Sequence, residues 1–406
     1  MVDHAHDRSR LITVLHHDRL RVLLVTFCSY AALHAARKSF SNSKAALQDA
    51  RPGAFPTSTL AALDTLFMIA YSTGLLLAGR LGDVFSASTV LAIGLGLTTI
   101  AQTVFALLCV LRTPPDWEFK VVLFAIWILN GLVQSLCWPA CVKLVGNWLA
   151  PVHHLIEGSE EEETSADSDT ASVADDRVGV VNPAHSGMLF GMWSSNASVG
   201  NIVGALMAAL ALGIAGAHAA LKEMGVLLVF LGPSLLMVIF TYYSSKLKDF
   251  PPTADDVRAR GLQVTTASPS GAQLPTLEAV LAGLKEIWLA FRLPFVARYS
   301  VVYACTKGVN YAMFFWLPYY LSEVCKLDPG LADGLSVFYD IGQCLGGVIA
   351  GSIVDKCARG KKSIVITSFL VLAIIPTLAL SLKYASAVPI TMSEGPGFAW
   401  SKFKQA

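Results

Sequence analysis

Charged residues are scarce in this chain. Only 15% of its 406 residues are Asp, Glu, Lys or Arg, whereas 54% are hydrophobic. Soluble domains carry about 25% charged residues, so the composition excludes an ordinary soluble protein and indicates one that crosses a membrane several times. The net charge of +1 gives no sign of nucleic acid as a partner, and we expect the lipid bilayer and small molecules instead.

The motifs of metal sites, disulfide frameworks and enzymes are also missing. The eight cysteines form no C-x-x-C pair and no Cys/His cluster, which argues against a metal site or disulfides. There is no Ser/His/Asp pattern, phosphate-binding Gly-rich loop or pair of intramembrane carboxylates. The sequence therefore predicts neither an enzyme nor a cofactor. Residues 1–19 lack a cleavable apolar segment, so we expect the first helix to be retained.

Long apolar runs dominate the rest of the sequence. A membrane helix needs about 20 residues, and nine runs satisfy this length. They are 20–43, 58–78, 88–111, 119–145, 186–213, 225–243, 295–321, 334–354 and 363–382. The remaining tail, 383–406, is too short in apolar residues to cross again. We therefore expect an all-α membrane protein with about nine transmembrane helices.

Basic residues in the loops predict the orientation. Lys and Arg are frequent in alternate loops, beginning with the N-terminal segment, and sparse in the opposite set, which includes Lys44, Arg51 and Lys120. Because positive loops stay in the cytosol, the sequence predicts a cytosolic N-terminus.

Two polar segments divide the chain. Residues 151–184 contain nine acids between Glu157 and Asp176 with no base among them, which favours a solvated, disordered loop over a calcium or partner site. Residues 244–294 are polar and Pro-rich and predict a cytosolic linker. On this reading an N-terminal six-helix bundle, 20–243, precedes a partial C-terminal bundle, 295–382.

A short repeat supports this division. Gly79 to Asp83 follows the second span, and Gly351 to Asp355 follows the eighth, the second span of the second half. Both read G-x-x-x-D, which suggests duplicated halves. Glycine permits close approach of helices, and the aspartates can pair with a base or cap a neighbouring helix. We expect a structural or gating role for these residues.

Two adjacent cations, Arg37 and Lys38, follow the first apolar run. A charge near hydrocarbon costs several kcal/mol unless it meets water, a partner or a ligand. The pair therefore suggests a small, multiply charged anion as ligand. Alternatively, the two side chains end the helix and reach toward the lipid headgroups.

Polar side chains also recur on the fourth span. Asn130, Gln134 and Trp138 are four residues apart, so we expect them on one helix face. Amides on a membrane helix tend to face the interior. They can bind a ligand there or join two helices by hydrogen bonds.

Three motifs bring a family resemblance. Gly131 to Cys141 resembles the G-x-x-Q-x-x-x-W-P-x-C signature of the organophosphate:inorganic phosphate antiporters of the major facilitator superfamily. Residues 34–42, His-Ala-Ala-Arg-Lys-Ser-Phe-Ser-Asn, and 315–321, Phe-Trp-Leu-Pro-Tyr-Tyr-Leu, are similar to the eukaryotic sugar-phosphate exchangers of that family. The resemblance covers nearly all of residues 20–382.

The resemblance implies a twelve-helix fold and exchange of a phosphorylated small molecule, such as glycerol-3-phosphate or a hexose phosphate, for inorganic phosphate. It implies phosphate binding by Arg37, and binding or pairing with an acid of the second half by Lys38. It implies that Lys307 faces them across the pore. Alternatively, Lys307 pairs with Asp340. The resemblance also favours a monomer in the endoplasmic reticulum membrane.

Further positions match the family less specifically. Tyr71 resembles a pocket tyrosine but could equally be packing, Tyr339 with Asp340 resembles an aromatic–acid pair, and Asn196 lies on the fifth span. Two bacterial features are missing: Leu75 stands where those members carry a lysine, and the fifth span has no histidine.

The number of spans keeps a second hypothesis open. The family has twelve membrane helices, whereas this sequence predicts nine. The alternative to an antiporter is therefore a truncated product that cannot transport. A receptor or channel fits poorly, because the sequence shows no filter motif and no ring of like charges.

Overall fold

A computed structural model of the chain describes residues 2–51, 53–110, 116–149, 191–216, 222–251, 285, 288–357 and 362–387. All regular elements within these residues are helices, which confirms the all-α prediction. The predicted acidic loop and most of the predicted linker lie outside the described residues.

Ten helices follow one another along the described chain. They are α1 (Val2–Ala50), α2 (Thr57–Val84), α3 (Ala87–Val110), α4 (Trp117–Gln134), α5 (Cys137–Leu149), α6 (Asn196–Gly216), α7 (Lys222–Ser244), α8 (Val296–Glu323), α9 (Pro329–Cys357) and α10 (Lys362–Ala387). The last helix continues five residues into the segment predicted as a non-membrane tail, and the boundary of the membrane part stays a prediction. The rest of the tail lies outside the described residues.

Six spans in this part of the chain are long and apolar enough to cross a membrane: α2, α3, α4 with α5, α6 with the residues before it, α7 and α9. The segment Ser363–Ala379 of α10 is apolar but shorter. Helices α1 and α8 fall outside the set, and they carry the intramembrane bases Arg37, Lys38 and Lys307. The protein is thus a multi-pass membrane protein, and the count of nine spans stays a prediction.

The fourth predicted span is two helices, not one. Helix α4 ends at Gln134, and α5 begins at Cys137. Pro139 explains the break, because a proline ring clashes with the carbonyl group four residues earlier, here that of Ser135. Gln134 and Trp138 therefore lie on two successive helices, and both contact α1.

Helix α1 is longer than its apolar run. Its 49 residues extend over roughly 74 Å at about 1.5 Å per residue. Lys44, predicted to lie in a loop, is inside this helix and fully buried. It is buried there because its ammonium group lies 2.5 Å from a carboxylate oxygen of Asp64 on α2.

Small residues join α1 to α6. A Cβ atom on Gly204 would lie 2.8 Å from Cα of Ala35, and one on Gly200 would meet the backbone of Ala31. Since real Cβ contacts are longer, only glycine permits this approach. The packing brings the polar residues of α6 beside the cationic segment of α1.

The predicted G-x-x-x-D repeat does not provide this contact at its first copy. No described atom lies within 4 Å of a Cβ built on Gly79, and its structural or gating role stays a prediction. Gly351 lies within α9. Asp83 and Asp355 lie in α2 and α9, but their side chains are outside the described part, and their roles stay predictions.

One aspartate ties together the helix ends near the start of α3. The carboxylate of Asp249 accepts hydrogen bonds from the backbone N–H groups of Ala87 and Ser88 at 2.6 and 3.0 Å. It also accepts from the hydroxyl of Ser86 at 3.1 Å. The Asn147 side chain donates to the carbonyl oxygen of Asp249 at 3.0 Å. Asp249 therefore caps α3 and connects it to α5 and the chain after α7.

Candidate anion-binding site between the two halves

The site is built around Arg37, whose side chain is almost fully buried in the middle of α1. Its Nε donates to Oε1 of Gln134 at 3.1 Å. Nε2 of Gln134 in turn donates to Oδ1 of Asn130 at 3.1 Å. Three residues predicted from the sequence therefore meet at one place, and the α4 amides hold one edge of the guanidinium group.

The opposite edge of this guanidinium is buried against aromatic side chains. Both Nη1 and Nη2 of Arg37 are buried, and neither has a partner of hydrogen-bonding geometry among the described residues. The Arg37 Cζ lies 4.4 Å from the ring centroid of Tyr71, and Tyr311 lies beside the same group. Such a cation–π contact favours the charge, and the hydroxyl groups of Tyr71 and Tyr311 interact with the same guanidinium. Tyr71 thus lies in the site, as the resemblance implied.

Lys38 lies one residue further along and faces the second half of the protein. Its ammonium group donates to the carbonyl oxygen of Phe314 on α8 at 3.2 Å. It also lies 3.9 Å from a carboxylate oxygen of Asp340 on α9. Lys38 therefore makes the pairing with a second-half acid that the resemblance allowed. The alternative pairing of Lys307 with Asp340 was wrong, because Lys38 occupies that position.

Lys307 is only partly buried on α8. Its ammonium group lies 5.6 and 5.9 Å from the ring centroids of Tyr303 and Tyr311. Within the described residues no carboxylate lies within ion-pairing distance of it. Tyr311 is a shared neighbour of Lys307 and Arg37, so these two bases border the same region.

Aromatic rings line the adjoining region. The ring centroid of Tyr30 lies 4.9 Å from that of Trp138, and the rings of Trp138 and Trp193 stack at 5.7 Å. The hydroxyl of Tyr30 lies 3.5 Å from that of Tyr71. Trp138, predicted as a site residue, therefore belongs to an aromatic wall next to Tyr71, and its role in binding stays a prediction.

A polar connection that the sequence analysis missed joins three helices. Nδ1 of His34 lies 3.0 Å from Oδ1 of Asn201. Nδ2 of Asn201 donates to Oδ1 of Asp340 at 2.8 Å. An amide in an apolar span was the available signal, but the prediction chose Asn196, five residues earlier.

Two predicted residues lie apart from the guanidinium group. Asn196, at the start of α6, is buried with both amide atoms unpartnered among the described residues. Gly200 packs against Ala31 of α1, and Asn196 lies one turn before Gly200. At about 1.5 Å per residue, Asn196 is therefore level with a point on α1 roughly 15 Å from Arg37. Tyr339 lies on α9 beside Gln343. Their predicted roles in binding stay predictions.

The second half closes over one end of the site through α1 and α8. The Ser41 hydroxyl donates to the carbonyl oxygen of Phe314 at 2.8 Å, and the Lys44 ammonium group donates to that of Phe315 at 2.8 Å. Further along, the Tyr319 hydroxyl donates to Oε1 of Gln48 at 2.8 Å. We call these contacts between α1 and α8 the α1–α8 seam.

A second seam, between α6 and α9, includes the Asn201–Asp340 bond. One turn earlier on α6, the Ser198 hydroxyl donates to Oε1 of Gln343 at 3.4 Å. A Cβ on Gly191 would lie 3.3 Å from the carbonyl oxygen of Gly347, so the helices stay close toward the start of α6. Arg37 and Lys38 are enclosed between the α1–α8 and α6–α9 seams.

The charges around the site do not balance. Asp64 pairs with Lys44, Asp340 pairs with Lys38, and the buried carboxyl group of Asp333 on α9 also acts on Lys38 electrostatically. Within the described residues, Arg37 and Lys307 have no carboxylate within ion-pairing distance. Unpaired charges inside a membrane protein are costly and usually meet a ligand. The arrangement can therefore accept an anion.

Comparison with known proteins agrees with this architecture. Residues 23–156 and 178–401 match the sequence profile of the Major Facilitator Superfamily. The chain therefore belongs to this superfamily of membrane transporters, which confirms the predicted fold and indicates a transporter.

Within the superfamily, the chain is similar to proteins named for phosphorylated substrates. It is 32% identical to sugar phosphate exchanger 3 of Xenopus laevis, over 88% of this chain and 71% of the relative. It is 29% identical to sugar phosphate exchanger 3 of Homo sapiens, over 96% of this chain and 75% of the relative. It is 27% identical to putative glycerol-3-phosphate transporter 2 of Arabidopsis thaliana, over 88% and 65%. These relatives confirm the family to which the motifs pointed.

Proposed function

We propose that this protein exchanges a phosphorylated sugar or polyol for inorganic phosphate across a membrane by alternating access. One observation carries the proposal: Nη1 and Nη2 of Arg37 are buried donors that make no hydrogen bond of standard geometry to a described residue, with only the neutral side chains of Tyr71 and Tyr311 beside them. Buried donors without partners cost about 1–3 kcal/mol each. The names of the relatives support a phosphorylated substrate.

The chemistry of phosphate fits these donors. A guanidinium fork can donate two parallel hydrogen bonds to two phosphate oxygens. In our proposal the phosphoryl group binds to Arg37 on one side and to Lys307 on the other. A bound phosphate then meets both of the bases that have no carboxylate within ion-pairing distance among the described residues. The aromatic wall of Tyr30, Trp138 and Trp193 provides an apolar surface for the carbon skeleton.

Alternating access requires the two seams to open in turn. The α1–α8 seam depends on three α8 carbonyl or hydroxyl groups that bond to Ser41, Lys44 and Gln48. These bonds are few, so rocking of the halves can exchange them for water at a modest cost. The α6–α9 seam holds the opposite side while the first one opens. This division is the rocking motion expected of two related halves around a fixed site.

Exchange rather than uniport follows from the charges. Without a ligand, Arg37 and Lys307 would move through a closed state as unpaired cations, which is costly in a low-dielectric interior. A bound phosphate or organophosphate removes this cost in both directions. The empty carrier should therefore reorient slowly, and transport should require a substrate on each side.

Three further proposals concern the setting. The Lys and Arg bias of the loops supports a cytosolic N-terminus. The similarity to the eukaryotic exchangers supports the endoplasmic reticulum membrane. The site is formed within one chain, which supports a functional monomer.

The test is uptake of labelled phosphate into proteoliposomes that contain this 406-residue chain. The vesicles are preloaded with phosphate, glycerol-3-phosphate, glucose-6-phosphate or buffer alone. We expect uptake only into loaded vesicles and none with Arg37→Ala. Equal uptake into empty vesicles would contradict exchange. Phosphate binding without any uptake would favour our alternative, a transport-incompetent protein.

A further inference from the structure

A chain of four polar side chains runs beside the anion site. It begins at Lys38, 3.9 Å from a carboxylate oxygen of Asp340. Asp340 accepts from Nδ2 of Asn201 at 2.8 Å, and Oδ1 of Asn201 lies 3.0 Å from Nδ1 of His34. The chain links α1, α6 and α9, and each bond constrains the next.

The direction of each hydrogen bond follows from the carboxylate. An ionised Asp340 beside Lys38 can only accept hydrogen bonds, so the NH₂ group of Asn201 must face it. The amide oxygen of Asn201 then faces His34. An amide oxygen is an acceptor, and Nδ1 of His34 must therefore carry a proton. In the neutral imidazole the other nitrogen, Nε2, is then an acceptor.

Nε2 is the second hydrogen-bonding atom of the His34 ring. It has no hydrogen-bond partner among the described residues, and His34 keeps 9% of its surface exposed. Arg37, Lys38 and Lys307 all lie close enough to act on the ring electrostatically. A second proton on the imidazole would add a like charge among these three bases, which general electrostatics disfavours.

The neighbouring groups differ from Nε2 in what they can recognise. Lysine and arginine side chains only donate, and tyrosine hydroxyls can donate or accept. Nε2 of a neutral His34 with its proton on Nδ1 can only accept. A ligand that fills the site must therefore offer a donor at this point, or leave a buried acceptor unpaired at a cost.

We infer that His34, oriented by Asn201, selects anions that carry a hydroxyl group and rejects sulfate. Hydrogen phosphate has one P–OH group, and a sugar or polyol phosphate has hydroxyls on its carbon skeleton. Sulfate has the same charge and shape as hydrogen phosphate but no hydroxyl. This inference rests on the proposed function and narrows its substrate class to hydroxyl-bearing phosphates.

The test is competition for labelled phosphate binding to the purified full chain in detergent. Unlabelled phosphate and sulfate serve as competitors for the wild type, His34→Phe and His34→Gln. We expect sulfate to compete at least about 100-fold less well than phosphate in the wild type, as expected for a site that hydrogen-bonds a ligand hydroxyl. His34→Phe should reduce this ratio below about 10. His34→Gln restores an acceptor oxygen and should recover most of the selectivity.

The outcomes separate this inference from the proposed function. No phosphate binding by the wild type would overturn both. Phosphate binding with equal competition by sulfate would overturn only the role of His34, and this result needs no variant. Selectivity that survives in His34→Phe would also overturn it. If that variant does not fold, Asn201→Leu replaces it, because loss of the oriented Nδ1 bond should likewise reduce the ratio.

Discussion

Oε1 of Gln134 accepts a 3.1 Å hydrogen bond from Nε of Arg37, and this bond holds the guanidinium by the edge that does not face a ligand. Gln134 is itself oriented by its bond to Asn130 on the preceding helical turn. Two neutral amides thus position the central cation without neutralising it. This is a physical reason for glutamine rather than glutamate at position 134.

Replacing Gln134 by glutamate should weaken the site because a carboxylate would neutralise Arg37. We expect Gln134→Glu to reduce the affinity for phosphate at least about 10-fold, consistent with a charge-assisted bond to the guanidinium. Gln134→Met has a similar length and no charge, and it should have a smaller effect. Equilibrium binding of labelled phosphate to the purified variants measures both. Equal affinities of the wild type and Gln134→Glu would contradict this account.

The buried pair of Lys44 and Asp64 should show strong coupling. Lys44→Met leaves a buried carboxylate unpaired, which typically costs about 3–5 kcal/mol. The double variant Lys44→Met/Asp64→Leu removes both charges and should recover most of the loss. Thermal unfolding midpoints in one detergent measure all three variants. A double variant that is less stable than Lys44→Met would show that the two residues act separately.

The anion site was largely predictable because its strongest signals are local. Charges and amides inside apolar runs are rare, so Arg37, Lys38, Asn130 and Gln134 were visible without a structure. Lys44 was not, since its partner Asp64 lies on another helix and only their pairing explains a base buried beyond the apolar run. Burial of a charge depends on tertiary contacts that hydropathy does not contain.

Pairing between helices was the part that the sequence could not decide. The sequence allowed an ion pair between Lys307 and Asp340, because one is the base and the other the acid of two adjacent predicted spans. The rotation of α9 instead turns Asp340 toward Lys38 and Asn201. The helix break between Gln134 and Cys137 was likewise not predicted.

Alanine substitutions should destabilise the protein at a packed glycine but not at an open one. Gly204→Ala places a methyl group against Ala35, and overpacking of this kind costs about 1–3 kcal/mol. Gly79→Ala is the matched control, because no described atom lies within 4 Å of its Cβ position and alanine favours the helix by up to about 1 kcal/mol. We expect a lower unfolding temperature only for Gly204→Ala. Equal midpoints would contradict the close packing of α1 on α6.

The two aspartate caps should differ in strength. Asp249 accepts from Ser86, Ala87 and Ser88, whereas Asp116 caps α4 with one bond to the N–H group of Phe119. Loss of a helix cap costs about 0.5–2 kcal/mol. We expect Asp249→Ala to lie near the upper end of this range and Asp116→Ala near the lower end. Thermal unfolding of both variants tests the order, and a reversed order would contradict the connecting role of Asp249.

Direct binding of phosphate to Arg37 tests the central claim. We would measure the dissociation constant of labelled phosphate for the wild type, Arg37→Lys and Arg51→Lys. Arg51 is the matched control, because its guanidinium donates to the carbonyl oxygens of Leu108 and Cys109. We predict that Arg37→Lys weakens binding at least about 10-fold, since lysine cannot reproduce a bidentate fork, and that Arg51→Lys leaves it unchanged. Unchanged binding in Arg37→Lys would contradict the account.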